Sequence, residues 1–92
     1  MAWMADAGRR LTALETSFNS QSATLASSDI QSNYLKPAVD LLAQAQAFAP
    51  GPDQSSLEQL QTLVNRVRYV IDTFTLAYNS RAAWERYQAQ QT

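Results

Sequence analysis

Residues 48–58 read Phe-Ala-Pro-Gly-Pro-Asp-Gln-Ser-Ser-Leu-Glu, FAPGPDQSSLE. Two of the chain's three prolines and one of its two glycines fall here. Whether this stretch links two domains or forms the tip of one folded object decides the architecture. Proline and glycine interrupt helices, and Ser55 with Glu58 three residues later has the S-x-x-E pattern of a helix capping box. A helix is therefore expected to start at about residue 56.

From the loop onward, Leu57, Leu60, Val64, Val67, Ile71, Phe74 and Tyr78 recur at alternating steps of three and four. That is an a/d seam, and Leu63, Val70, Ala77 and Trp84 lie beside it and widen the apolar stripe. The helix is expected over 56–88, with Arg68–Asp72 and Arg81–Glu85 spaced i, i+4 on its wetter side. Before the loop, Tyr34, Ala38, Leu41, Ala45 and Phe48 repeat the rhythm, predicting a helix over 29–48 that Asp29 can cap. Pro37 falls inside it, so one kinked helix is expected, the alternative being a helix that restarts with Pro37 in its first turn. Two seams of one period, neither with a core of its own, describe an antiparallel helical hairpin with residues 49–55 as its tip. Phe48 should lie close to Leu57, and Ala45, Leu41 and Ala38 should pair with Leu60, Val64 and Val67.

Trp3, Ala7, Leu11, Leu14 and Phe18 predict a further helix over 3–18. After Phe18 the chain reads NSQSATLASSDIQSN. Ser, Thr and Asn side chains compete for backbone hydrogen bonds, so a loop is expected near 19–28. The expectation is a single all-α domain over residues 1–92: a helical hairpin with an additional N-terminal helix, three-helix and coiled-coil-like.

Composition narrows the functional classes. The 92 residues contain no cysteine and no histidine, and the net charge is −1 from seven basic and eight acidic residues. The usual zinc ligands are missing, as is the side chain that most often handles protons near neutral pH. No basic stripe suits a phosphate backbone, and no apolar run approaches a membrane span of about 18 residues. MAWMADAGRR carries its charges after its apolar part, unlike a signal peptide. A cytoplasmic protein is expected, or one exported without a cleaved signal, with no nucleic-acid partner. The acids are far apart in sequence, and each has a structural explanation as cap, pair or surface group. No enzyme activity, cofactor or metal is expected.

The apolar face of the last helix is wider than one partner helix covers. Either the first helix closes over it or another protein does. Trp84 and Tyr87, with Arg81 and Arg86, lie beyond the reach of a second helix starting near residue 29, unless the first helix folds back over them with Trp3, Leu11 and Leu14. Trp, Tyr and Arg are the residues enriched at binding hot spots. The expected partner-binding residues are Leu63, Val67, Val70, Phe74, Ala77, Tyr78, Arg81, Trp84 and Tyr87.

Thr12-Ala13-Leu14-Glu15 on a short helix, then a hairpin with a Gly/Asp-containing tip, resembles the small needle co-chaperones of type III secretion systems. The similar final helix runs from Leu57-Glu58-Gln59-Leu60-Gln61 through Val70-Ile71-Asp72-Thr73-Phe74 to Ala77-Tyr78-Asn79-Ser80, so the resemblance covers about residues 11–80. It implies a cytoplasmic protein that pairs with a tetratricopeptide-like chaperone and helps keep a needle subunit soluble before export. The ten residues before this segment and the tail from Arg81 to Thr92 depart from the pattern. Needle subunits are similar too, through Pro50-Gly51-Pro52-Asp53, but this chain ends Tyr-Gln-Ala-Gln-Gln-Thr rather than in an apolar helix. The alternative from another class is a self-associating structural subunit, needle-like or a homodimeric bundle through the 57–78 seam.

Overall fold

A computed structural model of the chain describes residues 2–21, 24–49 and 51–91. The fold is all-α, with three helices and no strand among the described residues. Helix α1 is Ala2–Gln21. Helix α2 covers 27–47 and joins Ser27–Ile30, a π-helical turn Gln31–Leu35, and Lys36–Ala47. Helix α3 is Gln54–Gln91. Ser22 and Ala23 of the expected first loop, and Pro50 of the expected tip, lie outside the described residues.

The chain reverses between α2 and α3, and the cap that starts α3 sits two residues earlier than the S-x-x-E pattern suggests. Asp53 accepts a hydrogen bond from the Ser56 amide at 3.1 Å and one from the Ser56 hydroxyl at 2.9 Å. Ser55 is already helical, and its hydroxyl accepts from the Gln59 amide group instead. A carboxylate satisfies the free amides of a first turn and also meets the positive end of the helix dipole, so Asp53 outcompetes a serine two residues on. The Ser56 hydroxyl and amide hold the Asp53 carboxyl below its ordinary pKa.

Contacts between helices fix the topology. Trp3 stacks on Phe48 with ring centroids 4.8 Å apart, and a hydrogen bond of 2.8 Å joins the Ser17 and Tyr34 hydroxyls. α1 is therefore antiparallel to α2. Phe18 and Tyr34 both touch Phe74, and the Arg66 guanidinium donates to Thr12 at 2.7 Å and to Glu15 at 2.8 Å. α1 thus runs parallel to α3. The result is an up–down–up bundle, 59 × 19 × 15 Å.

Its core is apolar: Met4, Ala7, Leu11 and Phe18 from α1; Ile30, Tyr34, Ala38, Leu41 and Ala45 from α2; Leu63, Val67, Val70 and Phe74 from α3. Phe18, Tyr34 and Phe74, one from each helix, form a ring cluster with centroids 4.8–5.5 Å apart. Each such pair adds about 0.5–1.5 kcal/mol beyond area burial. The Arg66–Glu15 pair is partly exposed and contributes little, about 1 kcal/mol or less.

The buried row of α3 is rotated from the seam read off the sequence. Leu63 and Val70 are buried; Leu60, Val64, Ile71 and Tyr78 are half-buried, and Leu57 is exposed. Two helices share this face, so the line of deepest burial moves to the residues between them. Phe48 at the end of α2 stacks on Trp3 of α1.

Pro37 is accommodated without breaking α2. Lys36 donates its amide to Gln31, five residues back, and backbone dihedrals at Ile30, Gln31, Leu35 and Lys36 all stay helical. A proline supplies no amide, and its ring presses on the carbonyl four residues earlier. One wider turn relieves both. It also keeps Ile30, Tyr34 and Ala38 in phase, although three residues at successive steps of four drift round an ideal helix.

Candidate interaction surface

α3 has 38 residues and α1 has 20, so α3 outruns α1 by about 27 Å at 1.5 Å per residue. Phe18 lies beside Phe74 and Met4 shares a hollow with Leu63, so most of the excess lies at the C-terminal end of α3. There only the start of α2 accompanies it. Ser27 donates its amide to the Glu85 carboxylate at 2.9 Å and its hydroxyl at 2.5 Å. The N-cap position of α2 is Ala26, which makes no side-chain cap bond. Glu85 therefore caps α2 from a neighbouring helix, in place of the Asp29 cap expected from the sequence. The Ser27 hydroxyl and amide lower the Glu85 pKa against a smaller opposing effect of burial, with Arg81 adding to the lowering.

Both caps have a testable pH consequence. Asp53 and Glu85 have folded-state pKa values below their unfolded ones, so their stabilisation is present above the unfolded values and is lost as pH falls through the folded ones. The melting temperature is expected to hold level above about pH 5 and to fall below the ordinary carboxylate range. Glu85→Gln should flatten part of that acid limb in thermal melts followed by circular dichroism. An unchanged limb in Glu85→Gln and in Asp53→Asn would show that neither cap matters.

The nine residues singled out in the sequence separate into two groups. Leu63, Val67, Val70 and Phe74 are buried by the chain's own α1 and α2. Ala77, Tyr78 and Arg81 are half-buried, and Trp84 and Tyr87 are exposed. α1 covers the widened apolar row, but only at the tip end of α3. Trp3 sits there against Phe48, far from Trp84. The Arg81 guanidinium lies 5.2 Å from the centre of the Trp84 ring, a cation–π contact.

Two further residues belong with Trp84 and Tyr87. Tyr69, Leu76, Trp84 and Tyr87 are 71%, 69%, 52% and 56% exposed. Spacings of 7, 8 and 3 place all four on one outward face of α3, about 120° from its buried row at 100° per residue. Thr73, Ser80 and Ala83 complete that face. Thr73 turns its hydroxyl onto its own backbone at Tyr69, 3.1 Å away.

Cavities flank this face. A notch of about 480 Å³, lined by Ile30, Ala77, Ser80, Arg81 and Trp84, opens beyond the end of α1. A dimple of about 210 Å³ beside Tyr69 is lined by Glu15, Phe18, Asn19, Val70, Thr73 and Phe74. On the other side, a cleft of about 640 Å³ runs between α1 and α2 over Leu14, Tyr34, Pro37 and Leu41. It holds one carboxylate, Asp40, and one guanidinium, Arg10, which is paired with Asp6 at 3.0 Å. Ser17 in the same cleft is hydrogen-bonded to the Tyr34 hydroxyl, so the cleft sets no base beside a nucleophile. Among the described residues, no cluster of three metal-ligating side chains occurs, and no helix is long and apolar enough to cross a membrane.

Comparison with protein-family profiles, curated proteins and solved structures finds no match for this chain.

Proposed function

We propose that this chain is a non-enzymatic protein-interaction module that presents the outer face of α3 to another helical protein. One observation carries the reading: Tyr69, Leu76, Trp84 and Tyr87 stand half or more exposed along a single helix face. Contiguous apolar surface of this kind is costly to leave in water, and Trp and Tyr are the side chains that dominate binding energy when desolvated. The helix is held rigid beneath them by the aromatic cluster at Phe74 and by the Glu85–Ser27 cap, so little ordering entropy opposes docking.

The resemblance to secretion co-chaperones makes a cytoplasmic helical-repeat chaperone one partner of the right chemistry. Such a partner would meet the outer face rather than the Leu63–Phe74 row, which α1 and α2 already cover.

A photo-crosslinking amino acid placed at Leu76 or Tyr87, in cells that make the full chain, tests the reading. Adducts are expected from both positions and not from Val39, an exposed residue on α2. Absence of adducts from Leu76 and Tyr87, or equal yield from Val39, would overturn it.

A further inference from the structure

The outer face of α3 is complementary to itself. Resting on the reading of that face as an interaction surface, we infer that its partner is a second copy of the chain, packed antiparallel through residues 69–87 about a two-fold axis near Tyr78 and Asn79.

The pattern of the face leads to this arrangement. Tyr69, Thr73, Leu76, Ser80, Ala83 and Tyr87 alternate at steps of four and three, the spacing of a coiled-coil seam. In an antiparallel pair, seam positions of one helix layer against those of the other in reverse order. The layers become Tyr69 with Tyr87, Leu76 with Ser80, and Thr73 with Ala83, each occurring twice. The large side chains thus meet at both ends and the small ones alternate with leucine at the centre. A parallel pair would stack Tyr69 on Tyr69 and Ser80 on Ser80, leaving hydroxyls facing each other in the seam.

Charge selects the same register. Asp72 and Arg86 are exposed and flank the seam on one side, two heptads apart. The antiparallel layering sets Asp72 of each copy beside Arg86 of the other, and Asn79 beside Asn79. A parallel pairing would set Asp72 beside Ala77 and Arg86 beside Gln91 of the other copy, leaving neither charge an opposite partner across the seam.

Shape agrees on the opposite flank. There the register carries each Trp84 to the level of Val70 in the other copy. Val70 lies in the floor of the dimple of about 210 Å³ formed with Phe18, Glu15 and Phe74. The exposed indole of one copy and the hollow of the other occupy equivalent places. The notches at Ala77 come together at the axis.

Four large side chains half or more exposed would remove about 400–500 Å² per copy on docking, and their smaller neighbours bring this towards the ~800 Å² per partner of a standard interface. A reversible dimer follows, concentration-dependent rather than obligate, because each copy already has its own core.

Sedimentation equilibrium on the purified full chain tests the inference. A species of twice 10.2 kDa is expected at high concentration, dissociating on dilution. Leu76→Asp should abolish the dimer while leaving helical content and the low-concentration melting temperature unchanged, since Leu76 is exposed in the monomer. Asp72→Arg and Arg86→Asp should each raise the dissociation constant about 5- to 30-fold, and the double exchange should restore it. In a Trp3→Phe background the emission of Trp84 should shift to the blue as the dimer forms. The chain has no cysteine, so Asn79→Cys should be joined to its own copy by a short bis-maleimide, and Val39→Cys should not. A chain that stays monomeric at every concentration, a dimer indifferent to Leu76→Asp, or a double exchange that fails to restore binding would overturn the inference. Photo-adducts at Leu76 with a different protein alone would overturn the self-pairing while leaving the interaction reading in place.

Discussion

Val67→Asp is expected to abolish the fold. Val67 is 1% exposed, and the buried residues among those described are all apolar or aromatic. A carboxylate placed there has neither water nor a donor, and an uncompensated buried charge costs about 3–5 kcal/mol or more. A chain of 92 residues has roughly 5–14 kcal/mol of total stability, and a narrow bundle with a high surface-to-volume ratio sits towards the lower end. Circular dichroism at room temperature should therefore show loss of most helix. Tyr69→Asp, on the outer face of the same helix, is the control and should melt close to the parent at concentrations where the chain is monomeric. A helical, cooperatively melting Val67→Asp would mean that the buried face of α3 is wrongly assigned.

Phe74→Ala should come next in severity, and it tests a different feature. Phe74 is 1% exposed and touches both Phe18 and Tyr34, so its ring is α3's part of the cluster that binds all three helices at a single level. Truncating a buried phenylalanine costs about 3–5 kcal/mol, part of it from the cavity left behind. For a domain this size that lowers the melting temperature by tens of degrees, at roughly 4–8 °C per kcal/mol. Phe74→Leu should lose much less, since it refills most of the volume. If Phe74→Ala melted within a few degrees of the parent, the three-helix closure at this level would be refuted, because an open hairpin leaves that ring less to lose.

The two substitutions probe parts of the fold that differ in how readable they are. FAPGPDQSSLE predicts a reversal, and the reversal is there, because proline and glycine act locally. Its cap was misplaced because Asp53 and Ser55 are both good caps, and the choice between them depends on where the chain leaves the turn. The period of α3 is local as well. Its phase is not: Leu60, Val64 and Ile71 look as deeply placed as Val67 until α1 claims the row at Leu63 and Val70. Leu25 is buried within the 19–28 stretch of Ser, Thr, Asn and Gln that reads as loop, and Ile30 is buried just after it. Their burial depends on α2 starting at Ser27, which in turn depends on a carboxylate at Glu85, 58 residues away.

The outer face divides in the same manner. Trp84 and Tyr87 stand out by residue type and by their distance beyond the hairpin seam. Tyr69 and Leu76 do not, although Tyr69, Leu76 and Ala83 repeat at seven and could have been read as a second seam. A helix with two apolar stripes shows which residues share a face, but not which stripe its own neighbours will take.

Helix content, the reversal between α2 and α3 and the apolar periods were determined by sequence alone, because each arises from interactions within a few residues. The direction of α1, the π turn before Pro37, the Glu85 cap on Ser27 and the exposure of Tyr69, Leu76, Trp84 and Tyr87 were decided only by tertiary structure. Each depends on how three helices of unequal length align, and burial is a property of the surface that remains after they have done so.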